Sequence, residues 1–218
     1  MIAPPLRRRN RSTRGAFVRY VLAAVSLAAV GVTSPSFGET PDAQAASEAL
    51  ANLQACEVSD LPPLFDFIKR YRTSDDVDIK LAVAGAESRV AWVYMYQSMK
   101  SEARSSLRQI VKKYEYQTDD RLQSVAAVAR IELSGLEHAS ADKRADVEPI
   151  IARYKGSKNL DLLNLYAQAL EVVAETERGT AKDDEGRQLA EEAHEVVYAV
   201  EKQRPPVTDE SRVTVVCM

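Results

Sequence analysis

Three segments of the chain share one template: an apolar residue, two variable residues, two apolar residues, two variable residues and then tyrosine. They are LFDFIKRY, LRQIVKKY and VEPIIARY, which end at Tyr71, Tyr114 and Tyr154. These tyrosines are 43 and 40 residues apart. Apolar residues spaced by three and four lie on one face of a helix. Each segment is therefore predicted to be an amphipathic helix that closes a unit of about 40 residues.

The sequence around the template predicts pairs of antiparallel helices. Acidic pairs at Asp75-Asp76, Asp119-Asp120 and Asp183-Asp184 stand where a following helix should begin. Carboxylates there bind free N–H groups and complement the helix dipole. Only 8 of the 218 residues are glycine, which also favours helix. The predicted pairs cover about 42–72, 77–115, 121–155 and 160–202, within one domain at 39–202.

A fourth copy of the template would end near Tyr198, but there the pattern fails. Glu191 and His194 occupy positions that are apolar in the other copies. Terminal units of a stack are often atypical because they have a neighbour on one side only. The spacing therefore favours a repeated unit over a chance match among amphipathic helices, which remains the alternative.

The helix pairs resemble tetratricopeptide-like repeats. The residues that carry this resemblance are small or apolar in the first helix and apolar in the second: Val90, Ala91, Tyr94, Ala103, Leu107 and Ile110. The period here is about 40 residues, whereas that of tetratricopeptide repeats is about 34. The resemblance implies an all-α, right-handed solenoid of stacked antiparallel helix pairs. It also implies a concave face that binds a peptide or protein.

The N-terminal segment 1–38 has the composition of a secretory signal peptide. Six arginines and no acidic residue occur within its first 19 residues, and an uncharged stretch follows from Tyr20 to Val32. Small residues at Ser36 and Gly38 suit a cleavage site. We therefore predict a periplasmic or secreted protein. The alternative is an uncleaved anchor in the inner membrane, and membrane association is expected only in that case.

Charge argues against nucleic acid as a partner. Six of the 29 basic residues, and none of the 32 acidic ones, lie in 1–38, so the remainder has 23 basic and 32 acidic residues and a net charge near −9. That charge repels phosphate backbones and anionic lipids. Residues 203–218 are predicted to be an extended C-terminal tail, because Pro205 and Pro206 would stop the last helix.

The chain has two cysteines, Cys56 and Cys217. In an oxidising compartment they could form a disulfide that ties the tail to the first helices. Two free thiols are the alternative, because an elongated fold would hold the ends of the chain apart.

No catalytic constellation, cofactor motif or metal site is evident in the sequence. Glu191 and His194 form one Glu-x-x-His on a helix, whereas a di-iron bundle needs two such motifs and two further glutamates. Glycine-rich phosphate loops and nucleophile elbows do not occur. We therefore expect no cofactor, no metal and no enzymatic activity.

The candidate partner-binding residues are Trp92, Met95, Tyr96 and Met99, which helical spacing places along one stripe. Such a stripe is either core between helices or an exposed groove for a partner helix or peptide. The sequence thus predicts an exported, non-catalytic helical-repeat protein that binds or scaffolds a protein or peptide in the bacterial envelope. The alternatives are an anchored accessory subunit of a membrane complex and an enzyme with a dispersed site.

Overall fold

The computed structural model describes residues 40–204, and this part of the chain is all-α. A short 3-10 helix at Val58–Asp60 precedes the second α-helix. The helices are α1 (Pro41–Ala51), α2 (Leu61–Tyr71), α3 (Val77–Tyr96), α4 (Lys100–Tyr114), α5 (Asp120–Leu136), α6 (Ser140–Tyr154), α7 (Leu160–Glu177) and α8 (Asp183–Gln203). Helices that follow one another pack together, as predicted. We call α1, α3, α5 and α7 the first helices, and α2, α4, α6 and α8 the second helices.

Three of the first helices begin at the same kind of side-chain cap. Asp76 Oδ1 accepts hydrogen bonds from the backbone N–H groups of Asp78 and Ile79, at 2.9 and 3.2 Å. Asp119 and Asn159 make the equivalent bonds at the starts of α5 and α7. The prediction that acidic pairs cap helices is therefore confirmed at Asp76 and Asp119.

The third acidic pair has a different position. Asp183 and Asp184 lie inside the first turn of α8, where they complement the helix dipole. The N-cap position is Lys182, which makes no side-chain capping bond. Asp183 instead accepts a hydrogen bond from the backbone N–H of Gly179, at 2.9 Å, and so fixes the preceding turn. The start of α8 was therefore predicted correctly, but the residue at its N-cap position was not.

The core consists of three clusters of buried side chains. The N-terminal cluster lies between α1, α2 and α3, the middle cluster between α3, α4 and α5, and the C-terminal cluster between α5, α6, α7 and α8. Helix α3 contributes to two of them: Val83 and Val90 belong to the N-terminal cluster, whereas Ala84 and Ala91 belong to the middle cluster. Helix α3 is therefore apolar on two sides and is buried between its neighbours.

The template tyrosines are packing residues. Tyr114 and Tyr154 have only 1% and 5% of their surface exposed, and Tyr71 is half-buried against the N-terminal cluster. Tyr198, where the template fails, is 66% exposed. The contrast follows the template, because Glu191 and His194, which stand on the same side of α8 as Tyr198, are polar where the other copies are apolar.

Further contacts recur at the same spacing as the tyrosines. Each capping residue, Asp76, Asp119 or Asn159, comes five positions after a template tyrosine. Two ion pairs also recur, each between residues 33 positions apart. Arg104 Nε lies 2.8 Å from Glu137 Oε1, and Arg144 lies 3.1 Å from Glu177 Oε1. Each arginine stands near the start of a second helix and reaches the end of the next first helix.

All four first helices begin at one edge of the molecule. Thr40 Oγ1 donates to Asp76 Oδ2 at 3.0 Å, which joins the starts of α1 and α3. Arg121 donates to Asp78 Oδ1 at 2.8 Å, which joins α3 and α5. A bond of 3.1 Å from Asn159 Nδ2 to Asp120 Oδ2 joins α5 and α7. The first helices therefore run side by side in the same direction.

Helix α1 is shorter than the Ala-rich sequence from about Asp42 to Cys56 predicts. The sequence pattern continues to Cys56, but the helix ends at Ala51. The guanidinium of Arg89 on α3 donates to the carbonyl oxygens of Leu50 and Leu53, both at 2.7 Å. These bonds satisfy carbonyls at the helix end. The residue that shapes this end lies 36 to 39 positions away in sequence, so local pattern could not reveal it.

Two predicted segments fall outside residues 40–204. They are the signal peptide at 1–38 and residues 205–218 of the tail predicted at 203–218, which include Cys217, and both stay predictions. Gln203, the first residue of that predicted tail, is instead the last residue of α8. Within the described residues, no helix is both long and apolar enough to span a bilayer. Helix α6 continues through Pro149, so this proline neither delays its start nor ends it.

Candidate partner-binding site

Two stacked aromatic side chains lie near the C-terminal end of α3. The rings of Trp92 and Tyr96 are stacked, with centroids 5.3 Å apart and planes inclined by 13°. Trp92 also packs against the N-terminal cluster, whereas Tyr96 is 60% exposed. One ring of the pair is therefore anchored in the core and supports the other at the surface. Aromatic side chains with one apolar face and one polar tip are enriched in protein interfaces.

The two methionines of the predicted stripe lie apart from this pair. Met95 packs against the middle cluster, on the other side of α3 from the cluster that Trp92 contacts. Met99 is half-buried and occupies the N-cap position of α4. The structure thus brings Trp92 and Tyr96 together and divides the stripe, because α3 lies between two cores. Of the four residues of the stripe, Tyr96 alone is exposed.

The turn after α3 joins the aromatic pair to the connection between α1 and α2. Ser98 has φ of 60°, and the N–H of Met99 donates to the carbonyl of Tyr94 at 2.8 Å. Gln97 Nε2 donates to the carbonyl oxygen of Cys56 at 3.3 Å. Half-buried Cys56 therefore lies at the end of α3. Its predicted partner Cys217 lies beyond residue 204, so the disulfide stays a prediction.

A buried ion pair that the sequence did not predict lies between α4, α5 and α6. Glu115 Oε1 is 2.7 Å from the Arg130 guanidinium, and their side chains are only 11% and 18% exposed. Arg153 also donates to the backbone carbonyl of Glu115. These groups and Tyr154 border a cavity of about 10 Å³. That volume suits one water molecule and is too small for a substrate.

A second unpredicted feature is the carboxyl group of Glu132 on α5. Burial raises the pKa of this group to about 7, because removing a carboxylate from water disfavours its charged form. The sequence places Glu132 among apolar neighbours, Ile131 and Leu133, but gives no sign of how deep it lies. Glu132 lines neither the small cavity nor the groove along α4.

The carboxyl group of Glu132 should make stability depend on pH. An unfolded glutamate loses its proton near pH 4.5, whereas Glu132 in the folded protein loses it near pH 7. The folded state therefore binds more protons between these values, so its free energy of unfolding should fall as pH rises through this range. Glu132→Gln should reduce the fall by about 2–3 kcal/mol. Urea unfolding at pH 5 and pH 8 measures the difference.

The matched control for this prediction is Glu175→Gln on the exposed surface of α7. This variant should show the same pH dependence as the unmodified protein. If Glu132→Gln retained the full pH dependence, Glu132 would not be the group responsible.

An open groove of about 500 Å³ follows one face of α4. Its charged residues are Arg104, Arg108 and Lys112, at helical spacing. Arg104 is held by Glu137, and Arg108 approaches the same carboxylate at 3.7 Å. One carboxylate therefore balances part of the positive charge of these three residues.

Within residues 40–204, neither histidine belongs to a cluster of side chains that could bind a metal ion. Among these residues, no group of three or more His, Cys, Asp or Glu side chains is arranged to hold a metal ion. His138 is exposed, and so is His194 on α8.

Comparisons with known proteins gave no match, so the function is inferred from the geometry of this chain. No protein-family model, no curated protein and no solved structure matches this chain.

Proposed function

We propose that the protein is an exported, non-catalytic helical-repeat protein that binds or scaffolds another protein or peptide in the bacterial envelope. The observation that carries the proposal is the stacked pair of Trp92 and Tyr96, half anchored in the core and half exposed. A rigid aromatic surface of this kind gives a partner apolar area and loses little conformational entropy on binding. Export rests on the composition of residues 1–38.

The repeat assignment within this proposal rests on recurring contacts. Capping residues follow the template tyrosines at a constant offset, and Arg104–Glu137 recurs as Arg144–Glu177. A structural unit copied along a stack would keep such contacts at its internal joints. The resemblance to tetratricopeptide-like repeats implies a face of the stack that binds a peptide or protein, and α3 carries the aromatic pair. We extend this mode of binding to the present chain.

A photo-crosslinking amino acid at position 96 tests the proposed surface in living cells. We expect it to trap one protein, or a small set, in the envelope fraction. The matched control is position 198, because Tyr198 is equally exposed, at 66% against 60%, but lies on α8. Equal trapping at both positions, or none at position 96, would contradict the proposal.

A further inference from the structure

The second helices α4, α6 and α8 expose one side to solvent. The first helices pack against one another, whereas these second helices pack chiefly against first helices and form the outer layer of the stack. We call the exposed side of α4, α6 and α8 the second-helix face. Its defining residues, all exposed, are Arg108 and Lys112 on α4, Ala145 and Ala152 on α6, and Glu191 and Glu195 on α8. The aromatic pair on α3 lies outside this face.

The helices of the second-helix face are in structural register. Helices α4, α6 and α8 begin 40 and 43 residues apart, close to the spacing of the template. Ala103 and Ile110 are buried on α4. Gly186 and Ala193, which lie at the same distances from the start of α8, are also buried. Residues at equal distances from the helix starts therefore occupy equivalent positions on α4 and α8.

Charge changes sign along the second-helix face. The groove along α4 is lined by Arg104, Arg108 and Lys112, and no carboxylate is among its lining residues. At the positions equivalent to Arg108 and Lys112, α8 carries acidic residues instead. These are Glu191 and Glu195. One end of the face is therefore basic, and the other end is acidic.

These charges are only partly paired within the chain. Among the described residues, Lys112, Glu191 and Glu195 form no ion pair. Arg108 reaches Glu137 at 3.7 Å, but another arginine binds that carboxylate at 2.8 Å. Unpaired charges of opposite sign on two ends of one face favour contact with a molecule that carries the same two charges in reverse order.

A second copy of the chain carries its charges in that order. When two copies pack face to face about a twofold axis parallel to α6, α4 of each copy lies opposite α8 of the other. The axis is parallel to the helices, so residues at equal distances from the helix starts face each other. Arg108 then lies opposite Glu191 of the second copy, and Lys112 lies opposite Glu195. The symmetry repeats both contacts, which gives four ion pairs.

Helix α6 lies on this axis and carries short exposed side chains. Ala145 and Ala152 are two of them. Short side chains at a contact let two helices approach closely. The longer side chains of arginine, lysine and glutamate are able to bridge a wider gap at α4 and α8. The shape of the face thus agrees with the pattern of its charges.

The second-helix face is large enough for a dimer interface. Helices α4 and α8 have 15 and 21 residues, which makes them about 22 and 31 Å long. Three helices side by side are roughly 30 Å wide. Each copy therefore offers roughly 750 Å², and the two together bury about 1,500 Å², which is the usual size of a specific interface.

We propose that the protein forms a symmetric dimer through its second-helix face, with α4 of each copy against α8 of the other. The template fails at Glu191 on α8 because this residue contacts a second copy there. The dimer leaves the aromatic pair on α3 exposed, so it does not depend on the proposed binding function. The measurements below use no external partner, and a failure of the dimer is distinguishable from a failure of partner binding.

Sedimentation equilibrium of the purified full chain tests the dimer. We expect dimers at tens of micromolar protein in low salt. Salt screens exposed charges, so the dissociation constant should rise about 10-fold or more between about 50 and about 500 mM salt. Monomers at both salt concentrations, or assemblies larger than dimers, would overturn the proposal. Binding of polyglutamate to a monomeric protein through α4 would assign the basic residues to an acidic partner and would also overturn it.

Charge reversal tests which helices meet. Arg108→Glu with Lys112→Glu makes α4 acidic, and Glu191→Lys with Glu195→Lys makes α8 basic. Like charges then face each other, so the dissociation constant of each variant alone should rise about 100-fold or more. An equal mixture of the two variants should form heterodimers again, because opposite charges then meet at both contacts. Dimers of either variant alone, or a mixture that stays monomeric while circular dichroism shows both variants to be helical, would overturn the proposal.

The matched control for these variants is Arg72→Glu with Arg178→Glu. Both arginines are exposed at the ends of helices outside the second-helix face, α2 and α7. The net charge changes as much as in the α4 variant, but the dissociation constant should change less than about twofold. Equal loss of dimers in this control would show that net charge and not the face is responsible, and would overturn the proposal.

Glu148 tests the position of the axis. This residue is exposed on α6, and an axis along α6 brings its two copies together. Like charges repel, so Glu148→Ala should lower the dissociation constant by about twofold or more. An unchanged or higher dissociation constant would overturn the assigned axis.

Discussion

Replacing Tyr114 by alanine is expected to lower the free energy of unfolding by about 3–5 kcal/mol, as for other large aromatic residues in protein cores. Tyr114 is 1% exposed and packs in the middle cluster with Leu107 and Leu122. Its loss would leave a cavity at the joint between two helix pairs. Urea unfolding followed by circular dichroism measures the change.

Two variants accompany this measurement. Tyr198→Ala removes the same side chain from an exposed position, so it should change stability by no more than about 0.5 kcal/mol. Tyr114→Phe isolates the hydroxyl group, which is buried without a hydrogen-bond partner. Burial and the nearby Glu87 raise the pKa of Tyr114, so this hydroxyl stays protonated. Its removal should cost little. Equal losses from Tyr114→Ala and Tyr198→Ala would contradict the packing role.

Breaking the buried ion pair should have the second large effect. Arg130→Met leaves the carboxylate of Glu115 in a site where its side chain is 11% exposed. An unpaired charge there should lower the free energy of unfolding by about 3–5 kcal/mol. Replacing both partners, Arg130→Met with Glu115→Met, should restore much of the loss, because no charge is then buried alone. Denaturant unfolding of Arg130→Met, of Glu115→Met and of the double variant completes a double-mutant cycle.

The control for this cycle is Arg187→Met on α8. Arg187 also pairs with acids, Asp183 and Asp184, but its side chain is 69% exposed. Exposed pairs contribute little, so this variant should lie within about 1 kcal/mol of the unmodified protein. If Arg130→Met were equally mild, water would be reaching the Glu115 site and the pair would not be buried in solution.

Local signals in the sequence were sufficient to predict the helices and their order. Caps at Asp76 and Asp119, and the apolar template before Tyr114 and Tyr154, are encoded within a few residues and depend on short-range contacts. The predicted end of α1 was wrong because Arg89, which is far away in sequence, donates the hydrogen bonds at the end of this helix. Element types thus follow from local pattern, whereas ends that depend on tertiary contacts do not.

The candidate site was only partly predictable for a related reason. Helical spacing places Trp92, Met95 and Tyr96 near one another on α3, but spacing does not tell which neighbours cover the helix. Two core clusters flank α3, so Met95 packs against the middle cluster and Trp92 packs against the N-terminal cluster. The pair of Glu115 and Arg130 was also missed, because its partners meet only once α4 and α5 have packed.

Partner binding through the aromatic pair is the central claim, and the affinity of a crosslinked partner for purified variants tests it most directly. We expect Tyr96→Ala to weaken binding by about 10-fold or more, as truncation of an interface hot spot does. Tyr198→Ala should change the dissociation constant less than about twofold, as expected outside the interface. Isothermal titration calorimetry gives both values. An unchanged affinity for Tyr96→Ala would contradict the claim.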